Sequence, residues 1–349
     1  MEPALPADRL ELAASGAQRV LDVSERAALV NLLTTAFQQS NLRTQQPYDL
    51  KTAFTAFGTT SSDGIWKLRD THPAPGIYRW TAEGPSFSVI NLFVKNNLLY
   101  SNQPSAYLPL RLAQARTAIF FKLTPLGPRA SLRSVSASLD SIQLTCALIA
   151  YGSGVKTVDP RPRRWEESEY CVEPKSGNLM TYSPVPGVYV LYDYSNAIRF
   201  HDKVIPNKFS VTQGGKTVIE SQVESLSDLP SDAALFQPNG LNAIGVGPVM
   251  TPPWRFNMFA FSSSIPAGEA GEEVALHGMR SPDGRVSDLE VITATNAAFI
   301  GTALRHVTSA EGRATTADLE PGVTPQSSEV FYTVHYMNPG THYVNPATN

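Results

Sequence analysis

The chain has 349 residues, of which 42% are hydrophobic and 17% are charged, and its formal net charge is −3. A chain of this length and composition can bury the cores of two domains, which excludes disorder throughout. Its lysines and arginines are scattered, apart from the group Arg161, Arg163 and Arg164. Nucleic-acid-binding proteins usually concentrate such residues in a basic stripe. We therefore expect no nucleic-acid partner.

The sequence predicts no membrane-spanning segment in this chain, because it lacks a run of about 18 apolar residues. The N-terminal stretch MEPALPADRL also lacks the basic-then-apolar layout of an export signal. If the natural protein is exported or anchored, we expect the export signal or anchor to lie upstream of this chain.

Two segments in the first third of the chain are predicted to be helical. The first runs from residue 7 to about 40, and Gly16 can break it in two. The second covers 107–121, with Pro109 in its first turn, where the missing N–H of proline is tolerated. In the first segment apolar side chains recur on one face at helical spacing, at Leu29, Val30, Leu33 and Phe37.

The remaining sequence up to residue 238 predicts an antiparallel sheet. From Tyr48 the apolar period changes to two, and proline and glycine separate short runs of β-branched and aromatic residues. The runs predict strands at 48–56, 65–69, 76–82, 87–95, 98–101, 138–151, 168–172, 178–183, 188–194, 197–201, 206–213 and 216–224. The predicted fold class is therefore α+β and β-dominated.

A Pro- and Gly-rich linker at 239–253 is predicted to separate a first domain, 1–238, from a second domain, 254–349. The second domain has the order strand, turn, strand, helix, strand, with the helix at 296–308 and the last strand at 329–337. This order is typical of a small α+β unit.

No pattern of catalytic or metal-binding residues is present. The six histidines are dispersed, and there is no G-x-S-x-G, P-loop or G-x-G-x-x-G pattern. We expect Glu166, Glu167 and Glu169 to be solvated loop charges, and His201-Asp202 to form a turn. We therefore expect a protein that is not an enzyme, with no catalytic residue, cofactor or metal ion.

Aromatic residues in the first predicted strands leave two alternatives open. They could line an apolar cavity for an acyl chain on a curved sheet, or they could form the ordinary core beneath the helices. The residues concerned are Phe54, Trp66, Tyr78, Trp80 and Phe93.

The two cysteines also leave two alternatives open. Cys146 and Cys171 each lie in a predicted strand. They are compatible with one disulfide, which for a loop of this size would stabilise the fold by about 3 kcal/mol. They are equally compatible with two separate buried thiols.

The segment 281–307, SPDGRVSDLEVITATNAAFIGTALRHV, resembles the C-terminal domain of TonB-type energy transducers. Asp283-Gly284-Arg285-Val286 matches the turn of that family, and 296–307 falls where its helix belongs, but the family's Trp-x-Phe-x-Pro signature is absent near the helix end. The resemblance implies that an edge strand pairs with a protein partner, such as an outer-membrane receptor peptide. The strand implied in this role contains Val330, Tyr332, Val334 and Tyr336.

The preceding region, about 25–238, resembles the lipoprotein carrier LolA, in the arrangement of acidobacterial-type envelope proteins that place such a region before a TonB-like domain. The motif Tyr170-Cys171-Val172-Glu173-Pro174 matches the Tyr-Cys-(Phe/Val)-(Asp/Glu)-Pro of that group. The resemblance implies an antiparallel half-barrel with N-terminal helices and a location in the periplasm or cell envelope. It also implies a disulfide between Cys146 and Cys171.

Three functions are compatible with these features. The first is a TonB-like transducer or adaptor that binds a protein partner through its C-terminal domain. The second is a LolA-like carrier that transports a lipid or lipoprotein by holding its acyl chain in the N-terminal domain. The third is a structural envelope protein with neither activity. The sequence favours the first, because the C-terminal resemblance is the more specific of the two.

Overall fold

The structure is a computed structural model that describes residues 21, 23–43, 46–58, 62–94, 98–104, 106, 108–120, 123, 126, 130–151, 163, 167–229, 233–246, 256–263, 271–281, 283–311 and 328–337. The start of the first predicted helix, up to residue 20, lies outside the described residues. So does the second half of the predicted linker, 247–253.

Three α-helices lie in the described part of the chain: α1 (Val23–Ser40), α2 (Leu110–Ile119) and α3 (Ile300–Glu311). All three fall inside or close to predicted helical segments. Helix α2 begins directly after Pro109, whereas the sequence predicted a start at 107 with Pro109 in the first turn, and no side-chain hydrogen bond caps that end. Since capping side chains stabilise helix ends, α2 depends on packing to hold its position.

The described residues up to 246 contain fifteen strands. They are β1 (Tyr48–Ala56), β2 (Gly64–Ala74), β3 (Ile77–Glu83), β4 (Ser88–Val94), β5 (Leu98–Ser101), β6 (Ala130–Leu139), β7 (Ile142–Tyr151), β8 (Ser168–Val172), β9 (Leu179–Val185), β10 (Val188–Asp193), β11 (Ile198–Phe200), β12 (Lys203–Ile205), β13 (Lys208–Gln213), β14 (Lys216–Ser227) and β15 (Asn242–Val246). Thirteen of them form one sheet in the order β15-β5-β4-β3-β2-β1-β14-β13-β10-β9-β8-β7-β6, while β11 and β12 pair separately. Every adjacent pair in this large sheet is antiparallel. The predicted β-dominated fold with a large antiparallel sheet is therefore confirmed.

The structure differs from the predicted strands at three places. Most of β6 was not predicted, because serines fill several of its positions and resemble a loop, although Leu132 and Val135 are buried. The three-residue strand β12 was not predicted either. Finally, β15 lies inside the predicted linker and pairs with β5, with Asn242 opposite Ser101. The division of the chain at 239–253 stays a prediction.

Helices α1 and α2 pack against the large sheet and share its main core. Leu33 of α1 and Leu112 of α2 belong to the same buried cluster as Phe54 and Trp66 of the sheet. Burying an apolar side chain of this size stabilises a fold by about 1.5–3 kcal/mol. These contacts therefore hold the two helices in place over the strands.

The C-terminal unit is a second, four-stranded sheet made of β16 (Phe256–Ser262), β17 (Glu272–Arg280), β18 (Val286–Ala294) and β19 (Ser328–Met337). The order is β16-β19-β17-β18, with β16 parallel to β19 and the other pairs antiparallel. Ile300, Ala303 and Val307 of α3 share a buried cluster with residues of this small sheet. The sequence analysis missed β16, the one parallel neighbour in the described sheets.

The strand that we expected to be an exposed edge is an inner strand. β19 pairs along its length with β17 on one side and with β16 on the other. Its Tyr332 and Val334 side chains are fully buried. The edge position expected for β19 is therefore wrong, because a strand with two partners has no free backbone N–H and C=O row to offer.

The small sheet packs against the large one. A Cβ at Gly187, in the turn between β9 and β10, would lie 2.8 Å from Cγ2 of Ile292 in β18. Arg111 of α2 lies 3.8 Å from the carboxylate of Glu329 in β19, and Nε2 of His277 in β17 lies 2.9 Å from the same carboxylate. The two sheets therefore share a close backbone approach and a buried polar contact.

The predicted disulfide between Cys146 and Cys171 is confirmed. The two cysteines face each other in neighbouring strands β7 and β8. They belong to a second buried cluster with Leu144, Leu148 and Tyr189, separate from the core beneath the helices.

Replacing both cysteines, C146A together with C171A, should lower the free energy of unfolding by about 3 kcal/mol, because the closed loop restricts the unfolded chain. The cysteines are 25 residues apart. Urea denaturation of the variant and of the oxidised and reduced wild-type protein measures the effect. Equal stability of oxidised and reduced wild type would contradict it.

Candidate functional site

An apolar cleft lies between the C-terminal ends of α1 and α2 and the strands that they cover. Its lining comes from both helix ends and from strands near the middle of the sheet. The lining residues are Phe37, Ser40, Asn41, Leu42, Leu50, Ala118, Ile119, Phe120, Leu179, Tyr192, Tyr194, Ile205, Pro206, Phe209 and Val223. Most are aliphatic or aromatic, so the cleft suits an apolar ligand.

In this structure the cleft is closed. Its volume is about 50 Å³, whereas pockets for ligands of drug size measure about 300–1,000 Å³. An acyl chain can therefore enter only if the helix ends move away from the sheet.

A few hydrogen bonds hold the two helix ends to the strands beside the cleft. The Tyr192 hydroxyl donates to the carbonyl of Ala118 in α2 at 2.8 Å. At the end of α1, Lys203 Nζ donates to the carbonyl of Gln38 at 3.0 Å, and Gln39 Nε2 donates to Asn178 Oδ1 at 2.8 Å. Burial raises the pKa of Tyr192 well above its ordinary value, so its hydroxyl remains a donor. Each such bond contributes about 0.5–1.5 kcal/mol.

A buried charge cluster adjoins the cleft, and we call Asp70, Arg43 and Arg116 the Asp70 cluster. Asp70 accepts hydrogen bonds from the Tyr48 hydroxyl at 2.7 Å and from Arg43 Nη2 at 3.2 Å. Arg116 Nη2 lies 3.7 Å from the same carboxylate. Burial, and next the nearby Arg43, lower the pKa of Arg116 to about 9. The cluster thus holds two cations and one anion, all nearly inaccessible to water.

Aromatic rings surround both guanidinium groups. The Cζ atom of Arg43 lies 4.2 Å from the ring centroid of Tyr78 and 4.1 Å from that of Phe120. The Cζ atom of Arg116 lies 3.5 Å from the ring of Trp80. Cation–π contacts of this kind compensate part of the hydration that each guanidinium loses.

Five aromatic residues were predicted either to line an apolar cavity or to form the core beneath the helices. In the structure all five lie in or against the main core. Phe54, Trp66 and Trp80 are buried, and the rings of Phe54 and Trp66 stack at 5.7 Å. Tyr78 and Phe93 are half-buried and stack at 4.4 Å. None of the five lines the cleft, whose lining comes mainly from helix ends and later strands. The structure thus brings these residues together, but beside the cleft rather than around it.

Two of the acidic residues expected to be solvated are buried, so that prediction is wrong for them. Glu167 accepts hydrogen bonds from Arg133, and Glu169 lies 3.6 Å from Nη1 of Arg163. Arg163 also donates to the Glu167 carbonyl and to Ser183 Oγ. Each carboxylate is buried because an arginine partner offsets the loss of its hydration. Glu166, Arg161 and Arg164 lie outside the described residues.

Glu169 also adjoins the two cysteines, and together they form the one group in the described residues with the spacing of metal ligands. Both sulfurs are joined in the disulfide. A metal ion would therefore have only the carboxylate of Glu169, which Arg163 already neutralises.

The remaining residues singled out in the sequence lie apart from the cleft. His201 is a turn residue with a φ of 52°, as expected, and its Nε2 lies 2.6 Å from Asp228. Tyr332, Val334 and Tyr336 are buried in the core of the small sheet, and Val330 packs against it. Partner binding by these β19 residues stays a prediction. The three buried side chains offer no accessible surface to a partner.

A larger depression of about 740 Å³ lies on the surface beside α1 and is open to solvent. Most of the residues around it are polar or charged, including Gln38, Asn178, Arg199 and Asp202. Such a surface does not desolvate an apolar ligand, so the closed cleft is the better candidate site.

No helix in the described residues is both long and apolar enough to cross a membrane.

No protein-family model and no curated protein matches the chain. Among solved structures it is similar to a LolA superfamily protein from Nitrosomonas europaea, with a TM-score of 0.40 and 11% identity over 60% of this chain and 96% of that one. It is also similar to a domain from Vibrio parahaemolyticus assigned to outer membrane lipoprotein sorting, with a TM-score of 0.36 and 7% identity over 59% of this chain and 94% of that one. The resemblance of the C-terminal segment to TonB-type transducers stays a prediction.

The charge count of the Asp70 cluster predicts unequal effects of two substitutions. D70N leaves two buried cations without their carboxylate and should lower the free energy of unfolding by about 3–5 kcal/mol. R116M keeps the pair Asp70–Arg43 balanced and should cost less than half as much. Urea denaturation at neutral pH measures both, and equal losses would show that the charge balance is unimportant.

Proposed function

We propose that this chain is a non-catalytic carrier of the cell envelope that holds the acyl chain of a lipid or lipoprotein in the apolar cleft. The observation that carries the proposal is the cleft itself, an apolar space closed by two helix ends that few hydrogen bonds hold to the strands beside it. The proposal thus favours the second of the three functions compatible with the sequence.

An estimate of the energies supports opening of the cleft by a ligand. Burial of each methylene group contributes about 0.8 kcal/mol, so ten of them contribute about 8 kcal/mol. Breaking the three hydrogen bonds from Tyr192, Lys203 and Gln39 costs about 1.5–4.5 kcal/mol in total, and loosening the contacts of Arg43 and Arg116 with Asp70 adds to that cost. An acyl chain that replaces the contacts of the helices with the strands can therefore offset the cost of moving them.

The disulfide supports the proposed location. Cys146 and Cys171 are paired, and disulfides persist mainly in oxidising compartments such as the bacterial periplasm. A periplasmic carrier would bind its cargo in water and shield the acyl chain during transfer.

Filling the cleft should abolish binding of an apolar ligand. Val223 lines the cleft from β14 and is half-buried, so V223W places an indole in the cleft at modest risk to the fold. We expect the wild-type protein to bind dodecanol, measured by tryptophan fluorescence and calorimetry, and V223W to bind it at least tenfold more weakly.

The matched control is T217W, which adds the same indole at an exposed position of the same strand and should leave dodecanol binding unchanged. Native mass spectrometry of the protein purified from cells supplies an independent measurement. A wild-type protein that carries no co-purified lipid and does not bind dodecanol would refute the carrier function.

A second candidate function is the adaptor suggested by the C-terminal resemblance. The observation that favours it is the position of β16, which in the described residues pairs with β19 alone and is therefore an outer strand. An extended peptide would add beside β16 rather than beside β19.

Titration of TonB-box peptides onto the full chain tests the adaptor function. If it holds, binding should protect the backbone amides of β16 from hydrogen exchange. Absence of binding at high micromolar peptide would count against it.

A further inference from the structure

We propose that Arg43 and Arg116 bind the anionic head group of a single-chain amphiphile, a carboxylate or a phosphate monoester, while its apolar chain occupies the cleft. This inference rests on the proposed carrier function and adds a head-group site to it. Four observations carry it.

The first observation is the excess of positive charge in the Asp70 cluster. Among the described residues, Asp70 is the only carboxylate within 4.0 Å of either guanidinium. One carboxylate therefore serves two buried cations. Buried charges are normally paired, because an unpaired one loses its hydration without compensation. The cluster lacks one negative charge, which an anionic ligand would supply.

The second observation is a set of unused hydrogen-bond donors. The Nε atoms of Arg43 and Arg116 and the Nε1 atom of Trp80 are buried and have no hydrogen-bond partner in the described residues. The Arg116 side chain is 6% exposed and that of Arg43 is 11% exposed. Buried N–H groups are almost always bonded. Three donors without acceptors at one cluster point to an acceptor that binds there, and carboxylate and phosphate oxygens are the natural partners of guanidinium groups.

The third observation is that this cluster adjoins the cleft. Asn41 and Leu42, which line the cleft, directly precede Arg43, and Phe120, which also lines it, follows Arg116 by one turn of α2. The Phe120 ring lies 4.1 Å from the Cζ atom of Arg43 and 5.8 Å from that of Arg116. A ligand with its head group at the two arginines could therefore run its chain along the Phe120 ring into the cleft.

The fourth observation is that the two buried guanidinium groups destabilise each other when no anion is bound. Burial and the neighbouring Arg43 lower the pKa of Arg116 to about 9, which reflects the repulsion between the two guanidinium groups and their lost hydration. An anion bound to both guanidinium groups would offset their repulsion and compensate part of the lost hydration. The same rings that surround the two side chains, Tyr78 and Trp80, keep water away and so strengthen the attraction.

The experiment compares ligands with one chain and different head groups. Dodecanoate, dodecyl phosphate and dodecanol are titrated below their aggregation limits and followed through the fluorescence of the buried tryptophans, because Trp80 stacks on Arg116. We expect at least one of the two anionic ligands to bind at least tenfold more tightly than dodecanol, since hydrogen bonds to charged groups contribute that much.

Two substitutions test whether the preference for anionic ligands depends on Arg43 and Arg116. R116M and R43M should each lower the ratio of anionic-ligand affinity to dodecanol affinity to about one, and this ratio, rather than dodecanol affinity itself, is the quantity compared. The control K51M removes one positive charge from an exposed position on β1 and should change neither. Inorganic phosphate, which has no chain, should bind at least tenfold more weakly than dodecyl phosphate.

The outcomes separate this inference from the carrier function. Binding of all three ligands with equal affinity would overturn the head-group site and leave the carrier intact. Binding of none would overturn both. A preference that survives R116M and R43M would also overturn the inference, and so would inorganic phosphate that binds as tightly as the preferred anionic ligand. The wild-type comparison remains decisive even if either arginine variant fails to fold.

Discussion

Asp70 lies where the large sheet, the segment after α1 and helix α2 meet. Its carboxylate binds Tyr48 of the neighbouring strand and Arg43 beyond α1, and it lies beside Arg116 of α2. Both covering helices are thus tied to the same buried group in β2. The position of the helix ends, and with it the closed state of the cleft, depends on a charge cluster whose balance is incomplete. A buried ion cluster of this kind fixes geometry more than it adds stability.

The closed cleft and the incomplete charge balance have related consequences. A cleft of about 50 Å³ keeps apolar side chains away from water when no ligand is bound, which limits aggregation through exposed apolar surface. The excess cation makes the same closed state less favourable than it would be with a balanced cluster. An amphiphilic anion would relieve both constraints at once, because its chain replaces the helix contacts and its head group supplies the missing charge. A neutral ligand would relieve only the first.

The sequence predicts those elements that local residue patterns determine. It does not predict features that depend on contacts formed only in the folded chain. Strand β1 and helix α2 follow from apolar period and from Pro109, and the disulfide follows from a family motif around Cys171. Strand β15 could not be predicted, since its pairing with β5 joins segments more than a hundred residues apart. The burial of Glu167 and Glu169 was not predicted either, although their partners Arg133 and Arg163 are nearer in the chain, because no local pattern shows which arginine pairs with which carboxylate. The cleft itself combines helix ends with strands from β1 to β14, and no local pattern marks such a combination.

Helix α2 connects the cleft to the C-terminal sheet. Its two buried arginines lie more than one helical turn apart, with Arg116 beside Asp70 in the large sheet and Arg111 beside Glu329 in the small one. Arg111 Nη1 also donates to Gln114, and Glu329 contacts His277 as well. The C-terminal end of α2 thus lines the cleft, while Arg111 near its N-terminal end contacts Glu329 of β19. One helix therefore contributes to the cleft and to the buried polar contact between the two sheets.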